Sequence, residues 1–263
     1  MAENHGEAQK VRLLCFWSSP FSQRVDIALA LKGIQYEKLP EDLPQKSPLL
    51  LASNPVYKKI PVLLHGDRAI CESTIIVQYI DEAFDGHQNL LPADAYGRAT
   101  ARFWADFVDK KVKESSGSWQ EISLKMFLAR QILTISDASL LSWQIFDGIT
   151  QILYSQGDDR KTAGENLIKS LEILEDALRK VSEESGLPFF GGEKMGFADV
   201  IFAPFFCCYP AIETVGGFKF GFEEKYPRLH AWLKAFEKSS AASVLPDPEK
   251  VTEFVINRFG KES

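Results

Sequence analysis

The first 84 residues alternate short apolar runs with one amphipathic stretch, a pattern typical of an α/β unit. Val11–Phe16 is a largely apolar run that predicts a buried strand. Gln23–Lys32 carries apolar residues at helical spacing and stops at Gly33, a residue that commonly ends helices. Gln35–Leu39 predicts a second strand. A strand, a helix and a strand within about thirty residues imply a parallel strand pair with a right-handed crossover.

The next segment predicts a β-hairpin followed by a helix. A polar loop at 40–48 leads to an apolar turn at Leu49–Leu51. Val62–His65 and Arg68–Cys71 then flank a two-residue Gly–Asp turn, which favours a hairpin. Thr74–Phe84 has an apolar face at helical spacing. The order βαβ followed by ββα predicts an α/β domain with a thioredoxin-like fold.

Beyond the linker at 85–93 the apolar pattern is helical throughout. We expect helices at Asp94–Lys111, Leu167–Glu184, Asp199–Val215, Pro227–Ser239 and Pro248–Phe259. The predicted organisation is therefore a thioredoxin-like domain at 10–84, a linker at 85–93 and an all-helical C-terminal domain at 94–259.

The amino-acid composition indicates the general class of protein. The chain is 45% hydrophobic and 25% charged with a net charge of -6, as expected for a soluble globular protein. This charge gives no support for binding to nucleic acid or to an anionic membrane. The longest apolar run, Val200–Ile212, is too short to span a bilayer. The cysteines and histidines show no metal-ligand spacing, so we expect no metal site and reduced thiols in a cytosolic protein.

Candidate chemistry first appears in the loop Trp17–Arg24, which joins the first strand to the first helix. A helix N-terminus is electropositive and exposes unpaired backbone N–H groups. The hydroxyl of Ser18 or Ser19 can either cap this helix or donate a hydrogen bond to a bound anion such as a thiolate. The loop alone leaves both interpretations open.

Five stretches along the chain form an ordered set: Trp17–Arg24, Asn54–Leu64, Cys71–Glu82, Ala101–Asp106 and Leu245–Val255. In this order they resemble the plant tau class of glutathione transferases, over both domains except residues 112–144. The resemblance implies an N-terminal domain that binds glutathione and a helical domain that lines the pocket for the second substrate.

The resemblance further implies a cytoplasmic homodimer that conjugates reduced glutathione to small hydrophobic electrophiles. Detoxification and stress response would be its roles, with a glutathione peroxidase side activity. Glutathione would be a co-substrate, and we expect no cofactor, no nucleic-acid partner and no membrane partner.

Ser19 lies where the family places its catalytic hydroxyl, which would donate a hydrogen bond to the glutathione sulfur. A thiol of pKa about 8.5 is mostly protonated at neutral pH, so the site must favour the thiolate. Family members that reduce dehydroascorbate or exchange thiols carry Cys at this position. Because Ser19 cannot form a mixed disulfide, we expect conjugation and peroxide reduction rather than thiol exchange.

The resemblance also implies the remaining glutathione contacts. Lys46 and Lys59 match the positions that pair with the glycyl carboxylate. The backbone of Ile60 would bond the cysteinyl unit in the manner of a β-strand. Glu72 suits the γ-glutamyl ammonium, and Ser73 at a helix N-terminus suits the γ-glutamyl carboxylate.

Other matches are structural or concern the second substrate. Pro61 is expected to follow a cis peptide bond, and Asp199 is expected to cap its helix rather than to act in catalysis. Arg24 is expected to brace the active-site loop, and Cys15 to be a core residue. The walls of the acceptor pocket are expected to include apolar side chains from the loop and the long helix: Phe21, Trp104 and Phe107.

Residues 112–144 depart from the family pattern. Deleting them joins Lys111 to Ile145 and restores one apolar helical face: Trp104, Val108, Ile145, Ile149 and Ile152. One hypothesis is a retained intron read in frame, since Val112 requires a codon beginning GT and Gln144 can end in AG. The other is a genuine helical insertion. In either case we expect an impaired acceptor pocket and a weakened dimer with an intact glutathione site. A non-catalytic ligand-binding protein or an impaired isoform is the alternative function.

Overall fold

The first described domain is built on a four-stranded sheet. The structure, a computed structural model, describes residues 10–86, 88–96, 98 and 148–259. Its strands are β1 (Val11–Cys15), β2 (Glu37–Pro40), β3 (Val62–His65) and β4 (Arg68–Cys71), in the sheet order β2-β1-β3-β4. β1 and β2 are parallel, and β3 is antiparallel to both β1 and β4. The expected parallel pair and hairpin are thereby confirmed.

Three helices cover this sheet: α1 (Pro20–Lys32), α2 (Pro48–Ser53) and α3 (Ser73–Ala83). α1 and α3 pack on one face, where Leu13 and Leu63 of the sheet join the main core. α2 covers the other face, where its Leu50 packs against Leu14 and Val62. This alternation follows from the period of two in a strand, which sends neighbouring side chains to opposite faces.

Two sequence predictions in this domain are wrong, and both concern the start of a helix. The first helix begins at Pro20 rather than Gln23, and the apolar turn Leu49–Leu51 lies inside α2. In both cases a serine caps the helix and a proline follows at its first position. Proline suits that position because its missing N–H would have had no partner inside the helix.

The second described domain is helical. Its helices are α4 (Gly157–Ser185), α5 (Phe197–Phe202), α6 (Phe205–Gly216), α7 (Phe222–Lys225), α8 (Pro227–Glu237) and α9 (Pro248–Phe259). Residues 148–154 are also helical, and Ser240–Val244 forms a 3-10 helix. The single helix predicted at Asp199–Val215 is wrong: α5 and α6 are separated at residues 203–204. The helix predicted at Asp94–Lys111 lies mostly outside the described residues.

The stretch Phe197–Gly216 is long and apolar enough to cross a membrane by length and composition alone. In the structure more than half of this stretch is buried inside the protein. Phe202, Phe205 and Ile212 are fully buried in the main core. Packing in the protein core therefore accounts for its apolar character.

A buried ion pair fixes the chain where the first domain ends. Lys32 Nζ lies 2.9 Å from Asp81 Oδ1, and the two side chains are only 1% and 6% exposed. The Asp81 carboxylate also accepts hydrogen bonds from the backbone N–H groups of Leu90 and Leu91, at 2.7 and 2.8 Å. One carboxylate thus joins α1, α3 and the predicted linker.

Replacing Asp81 by alanine is expected to lower the free energy of unfolding by about 3 kcal/mol. It leaves two N–H groups without their acceptor, and it leaves the buried Lys32 ammonium without a counter-charge, with the backbone carbonyl of residue 81 at 3.2 Å as its remaining acceptor. Lys32→Met should cost less, since the carboxylate keeps its two backbone donors. Urea unfolding of both variants would test this order. Glu237→Ala, which breaks an exposed ion pair with Lys234, is the control. An Asp81→Ala cost no larger than that of the control would contradict the prediction.

Candidate functional site

The ends of all four strands meet at one edge of the sheet. In the strand register, Cys15 lies opposite Pro40, Leu14 opposite Val62, and Val62 opposite Cys71. β1, β2 and β4 therefore end at this edge, and β3 begins there. The segments beyond this edge carry all the residues expected to contact glutathione: Ser19, Lys46, Lys59, Ile60, Glu72 and Ser73.

Ser19 is the N-cap of α1. Its Oγ accepts a hydrogen bond from the Ser22 N–H at 3.4 Å, and Pro20 is the first helical residue. A serine hydroxyl has two acceptor lone pairs and one donor hydrogen. Capping uses a lone pair, so the hydrogen can still be donated to an anion at the positive end of the helix. The two interpretations of the loop are therefore compatible.

Arg24 connects this helix to two other elements. Its side chain is fully buried, and its Nη1 donates to Ser73 Oγ at 3.3 Å. Its Nε donates to the Ile201 carbonyl of α5 at 3.2 Å, and its guanidinium lies 5.0 Å from the centre of the Phe21 ring. Arg24 thus contacts the aromatic residue beside the Ser19 loop and links the start of α3 to the helical domain.

Glu72 has an unusual backbone at the start of α3. Its φ of 70° lies in the left-handed region, where a residue other than glycine carries strain of about 1–3 kcal/mol. Its side chain makes no hydrogen bond that caps α3. Glu72 therefore occupies the N-cap position of α3 without capping the helix through its side chain. Ser73 follows at the first helical position and is buried.

The loop before β3 is organised by a buried amide. Asn54 donates from Nδ2 to the Lys59 carbonyl at 2.9 Å, and its Oδ1 accepts from the Tyr57 N–H at 3.1 Å. The Ile60–Pro61 peptide bond is cis, as expected. Sequence reasoning gave Asn54 no role, although Asn before proline is a known turn signal. Asn54 holds the backbone that presents Lys59 and Ile60.

The two lysines flank α2. Lys46 lies in the loop between β2 and α2, Lys59 lies in the loop between α2 and β3, and both are exposed. The two exposed ammonium groups, one on each side of this short helix, provide positive charge at the edge of the sheet where the strand ends meet. Anionic groups on a small ligand can be bound there.

An aromatic cluster brings the C-terminal helix to the Ser19 loop. The Trp17 ring lies 5.3 Å from the Phe254 ring of α9, and the Phe16 ring lies 5.9 Å from Phe254. Trp17 is 46% exposed. Sequence reasoning missed this contact because it joins residues that are far apart in the chain. Of the expected acceptor-pocket residues, Phe21 is partly exposed on α1, whereas Trp104 and Phe107 lie outside the described residues.

Cys15, four residues before Ser19 in the chain, is not a nucleophile. Cys15 is buried at the end of β1, and burial, aided by the nearby Asp26 carboxylate, raises its pKa to about 11. It therefore stays protonated at neutral pH, and only a thiolate attacks electrophiles efficiently. Cys15 is a core residue, as expected.

Asp199 joins the start of α5 to the preceding loop and to α8. Its fully buried carboxylate accepts from Phe190 N–H at 3.0 Å, Gly191 N–H at 2.9 Å, Gly196 N–H at 2.8 Å and Trp232 Nε1 at 2.7 Å. Burial raises the pKa of Asp199, and the four donors oppose this rise. The bond from Gly196 is the expected helix cap.

Comparisons with known proteins follow the same two-domain division. The family model described as glutathione S-transferase, N-terminal domain, matches residues 9–82. The model described as glutathione S-transferase, C-terminal domain, matches residues 126–239, so its match begins inside segment 112–144. That segment lies outside the described residues. The two hypotheses about it, a retained intron and a genuine helical insertion, therefore stay predictions.

Individual relatives agree with the family models. The chain is 38% identical to glutathione S-transferase U19 of Arabidopsis thaliana, over 94% of this chain and 95% of that protein. A tau-class glutathione S-transferase from mango has a TM-score of 0.74 and 39% identity, covering 93% of this chain and 96% of its own. A rice enzyme solved in complex with glutathione has a TM-score of 0.73 and 37% identity, covering 97% and 98%.

Proposed function

Because the chain belongs to the plant tau class of the glutathione S-transferase family, we propose that the strand-end edge is its glutathione site and that Ser19 activates the thiol. The main support for this proposal is the strand register, which brings the segments that contain Ser19, Lys46, Ile60 and Glu72 to this one edge. The Ser19 hydroxyl donates to the sulfur, and the N-terminus of α1 adds positive potential. Both favour the thiolate over the thiol.

The charges of this edge suit the rest of glutathione. Lys46 and Lys59 pair with the glycyl carboxylate, and the backbone of Ile60 bonds the cysteinyl unit. The carboxylate of Glu72 pairs with the γ-glutamyl ammonium. Ser73 and the N-terminus of α3 bind the γ-glutamyl carboxylate. Each charged end of the tripeptide thus meets a group of opposite polarity.

The second substrate in this proposal is a small apolar electrophile. Phe21, Trp17 and Phe254 offer apolar surface beside the Ser19 loop. The thiolate attacks the electrophilic carbon, the S–C bond forms, and the leaving group departs with the electron pair of its broken bond. Holding both reactants together supplies much of the rate gain. Detoxification and stress response in the cytosol are the roles that such chemistry fits, with peroxide reduction as a side activity.

The direct test is conjugation of glutathione to a model aryl halide by the purified chain. The proposal expects turnover well above the uncatalysed rate, saturable in glutathione and in the halide. A rate equal to that of buffer, with a chain shown to be folded by circular dichroism, would exclude the proposed activity.

A homodimer is the second part of the proposal, and it is supported by apolar residues exposed on the first domain. Val56 is 77% exposed, Ile75 is 54% exposed and Tyr57 is 52% exposed, close to the glutathione edge. A contiguous patch of exposed apolar residues commonly marks an interface. A second copy of this chain is the proposed occupant.

Val56→Asp is therefore expected to raise the dissociation constant of the dimer by about 100-fold or more, since it places a charge in a desolvated interface. Light scattering coupled to size-exclusion chromatography, over a range of concentrations, would measure this. Ser243→Asp adds the same charge on an exposed residue of the helical domain and should leave the dimer unchanged. A monomeric wild-type chain would contradict the prediction.

A further inference from the structure

Glu41, the residue that follows β2, is a buried carboxylate with no role in the proposed chemistry. It is 6% exposed, and its backbone N–H donates to the Cys15 carbonyl at 2.8 Å. Its Oε2 accepts from the Ser47 N–H at 3.1 Å, and its Oε1 accepts from the Ser47 hydroxyl at 2.6 Å. A buried carboxylate needs such donors to offset its lost hydration. Glu41 therefore ties the start of this loop to its end.

The closed loop carries Lys46. Residues 42–46 are exposed, and a turn within them is closed by the Gln45 N–H on the Asp42 carbonyl at 3.1 Å. Ser47, the residue after Lys46, also caps α2 by accepting from the Leu50 N–H at 3.0 Å. Ser47, next to Lys46, is thus held in two ways: it caps α2, and it donates two hydrogen bonds to the Glu41 carboxylate.

We propose that Glu41 is a positioning residue for Lys46: it fixes the loop so that the Lys46 ammonium meets the glycyl carboxylate of glutathione. This inference rests on the proposed function, which assigns that carboxylate to Lys46. A lysine side chain loses considerable rotamer freedom when it pairs. A fixed backbone removes the further cost of ordering the loop at the moment of binding.

The effect has an upper limit that makes it testable. An exposed lysine–carboxylate pair contributes little, so Lys46→Ala should raise the KM for glutathione by about 1.5- to 5-fold. Because Glu41 acts through Lys46, Glu41→Gln should raise this KM by no more than Lys46→Ala does. The kcat at saturating glutathione should stay unchanged, since Glu41 does not contact the reacting sulfur in this proposal.

The decisive experiment compares glutathione with its glycyl monoethyl ester, which lacks the carboxylate that Lys46 would bind. Glu41→Gln replaces one carboxylate oxygen by an amide donor facing the donors of Ser47, so the loop loosens without loss of side-chain volume. The KM for glutathione should rise, and the KM for the ester should not. In a Lys46→Ala background, Glu41→Gln should add nothing further.

Glu175→Gln is the matched control. Glu175 also holds a helix N-terminus with its carboxylate, accepting from the N–H groups of Arg228 and Leu229 at 3.0 and 2.8 Å, but in the helical domain. It should leave both KM values unchanged. An equal rise of both KM values in Glu41→Gln would assign Glu41 a structural role only and overturn the proposal.

Two further outcomes are distinguishable. If Lys46→Ala leaves the KM unchanged, the assignment of Lys46 in the proposed function fails. If Lys46→Ala raises it and Glu41→Gln does not, the present inference fails alone. Should Glu41→Gln not fold, Ser47→Ala removes the hydroxyl that donates to Glu41 at 2.6 Å and must show the same selective rise, or the proposal is wrong.

Discussion

Ser19→Ala is expected to lower the kcat for conjugation by about 15-fold at pH 7, with little change in glutathione affinity. A charge-assisted hydrogen bond of about 2 kcal/mol lowers a thiol pKa by about 1.5 units, from about 8.5 to about 7. At pH 7 the bound thiol is then about half ionised in the wild type and about 3% ionised in the variant. The ratio of these fractions gives the expected loss.

The dependence on pH follows from the same argument. The thiolate is present above the pKa of bound glutathione, so the wild-type rate should rise through about pH 7 and the variant rate through about pH 8.5. The two rates should agree within about two-fold above pH 9.5, where both thiols are ionised. Equal inflection points in the two kcat profiles would show that Ser19 does not lower the thiol pKa.

A control is needed because Ser19 also caps α1. Ser19→Gly keeps most of the cap stability, since glycine at an N-cap costs only a few tenths of a kcal/mol relative to serine. It lacks the hydroxyl, so it should lose as much activity as Ser19→Ala. Ser19→Thr keeps the hydroxyl and should recover most of the rate. Activity that follows the melting temperature across these variants would instead indicate a purely structural role.

The fold could largely be predicted from the apolar pattern, because strands and long helices leave clear periods. Short elements do not: α2 has only six residues and α7 only four, fewer than two turns each. The start of α2 depends on its serine cap and on Pro48, and α7 starts after Gly221 in the left-handed conformation, so neither start follows from periodicity. The same reason explains why α1 was predicted to begin three residues too late.

Candidate site residues could be predicted from the sequence where they lie in local motifs. They could not be predicted where their role depends on contacts that a side chain makes in the folded protein. Ser19, Ile60 and Glu72 lie in motifs that resemble the family. The roles of Asn54 and Glu41 depend on side chains that turn back onto the backbone of their own loops. Such contacts leave no period in the sequence.

Contacts across the two domains were less predictable still. The aromatic contact between Trp17 and Phe254 and the hydrogen bond from Arg24 to the Ile201 carbonyl join residues from different domains. A single sequence contains no signal for which distant apolar or charged side chains will meet. Only the packed structure reveals them.

The largest effect on stability is expected for Asp199→Ala. The substitution leaves four N–H donors without this acceptor: the buried donors of Phe190 and Trp232, and the partly buried donors of Gly191 and Gly196. An unsatisfied buried donor costs about 1–3 kcal/mol, so the loss of the acceptor for the two buried donors should lower the free energy of unfolding by about 4 kcal/mol. That is a large share of the 5–15 kcal/mol or so that stabilises a typical domain.

Graded variants separate this hydrogen-bond effect from simple loss of volume. Oδ1 of Asp199 accepts from Phe190 and Trp232, and Oδ2 accepts from the two glycines. Asp199→Asn keeps one oxygen and opposes the other two donors with an amide, so it should cost about half as much as alanine. Trp232→Phe removes one donor, keeps an aromatic ring and should cost less than Asp199→Asn. Urea unfolding should show the largest loss of unfolding free energy for Asp199→Ala, a smaller loss for Asp199→Asn and the smallest for Trp232→Phe. Equal losses for Asp199→Asn and Asp199→Ala would show that the retained oxygen contributes nothing.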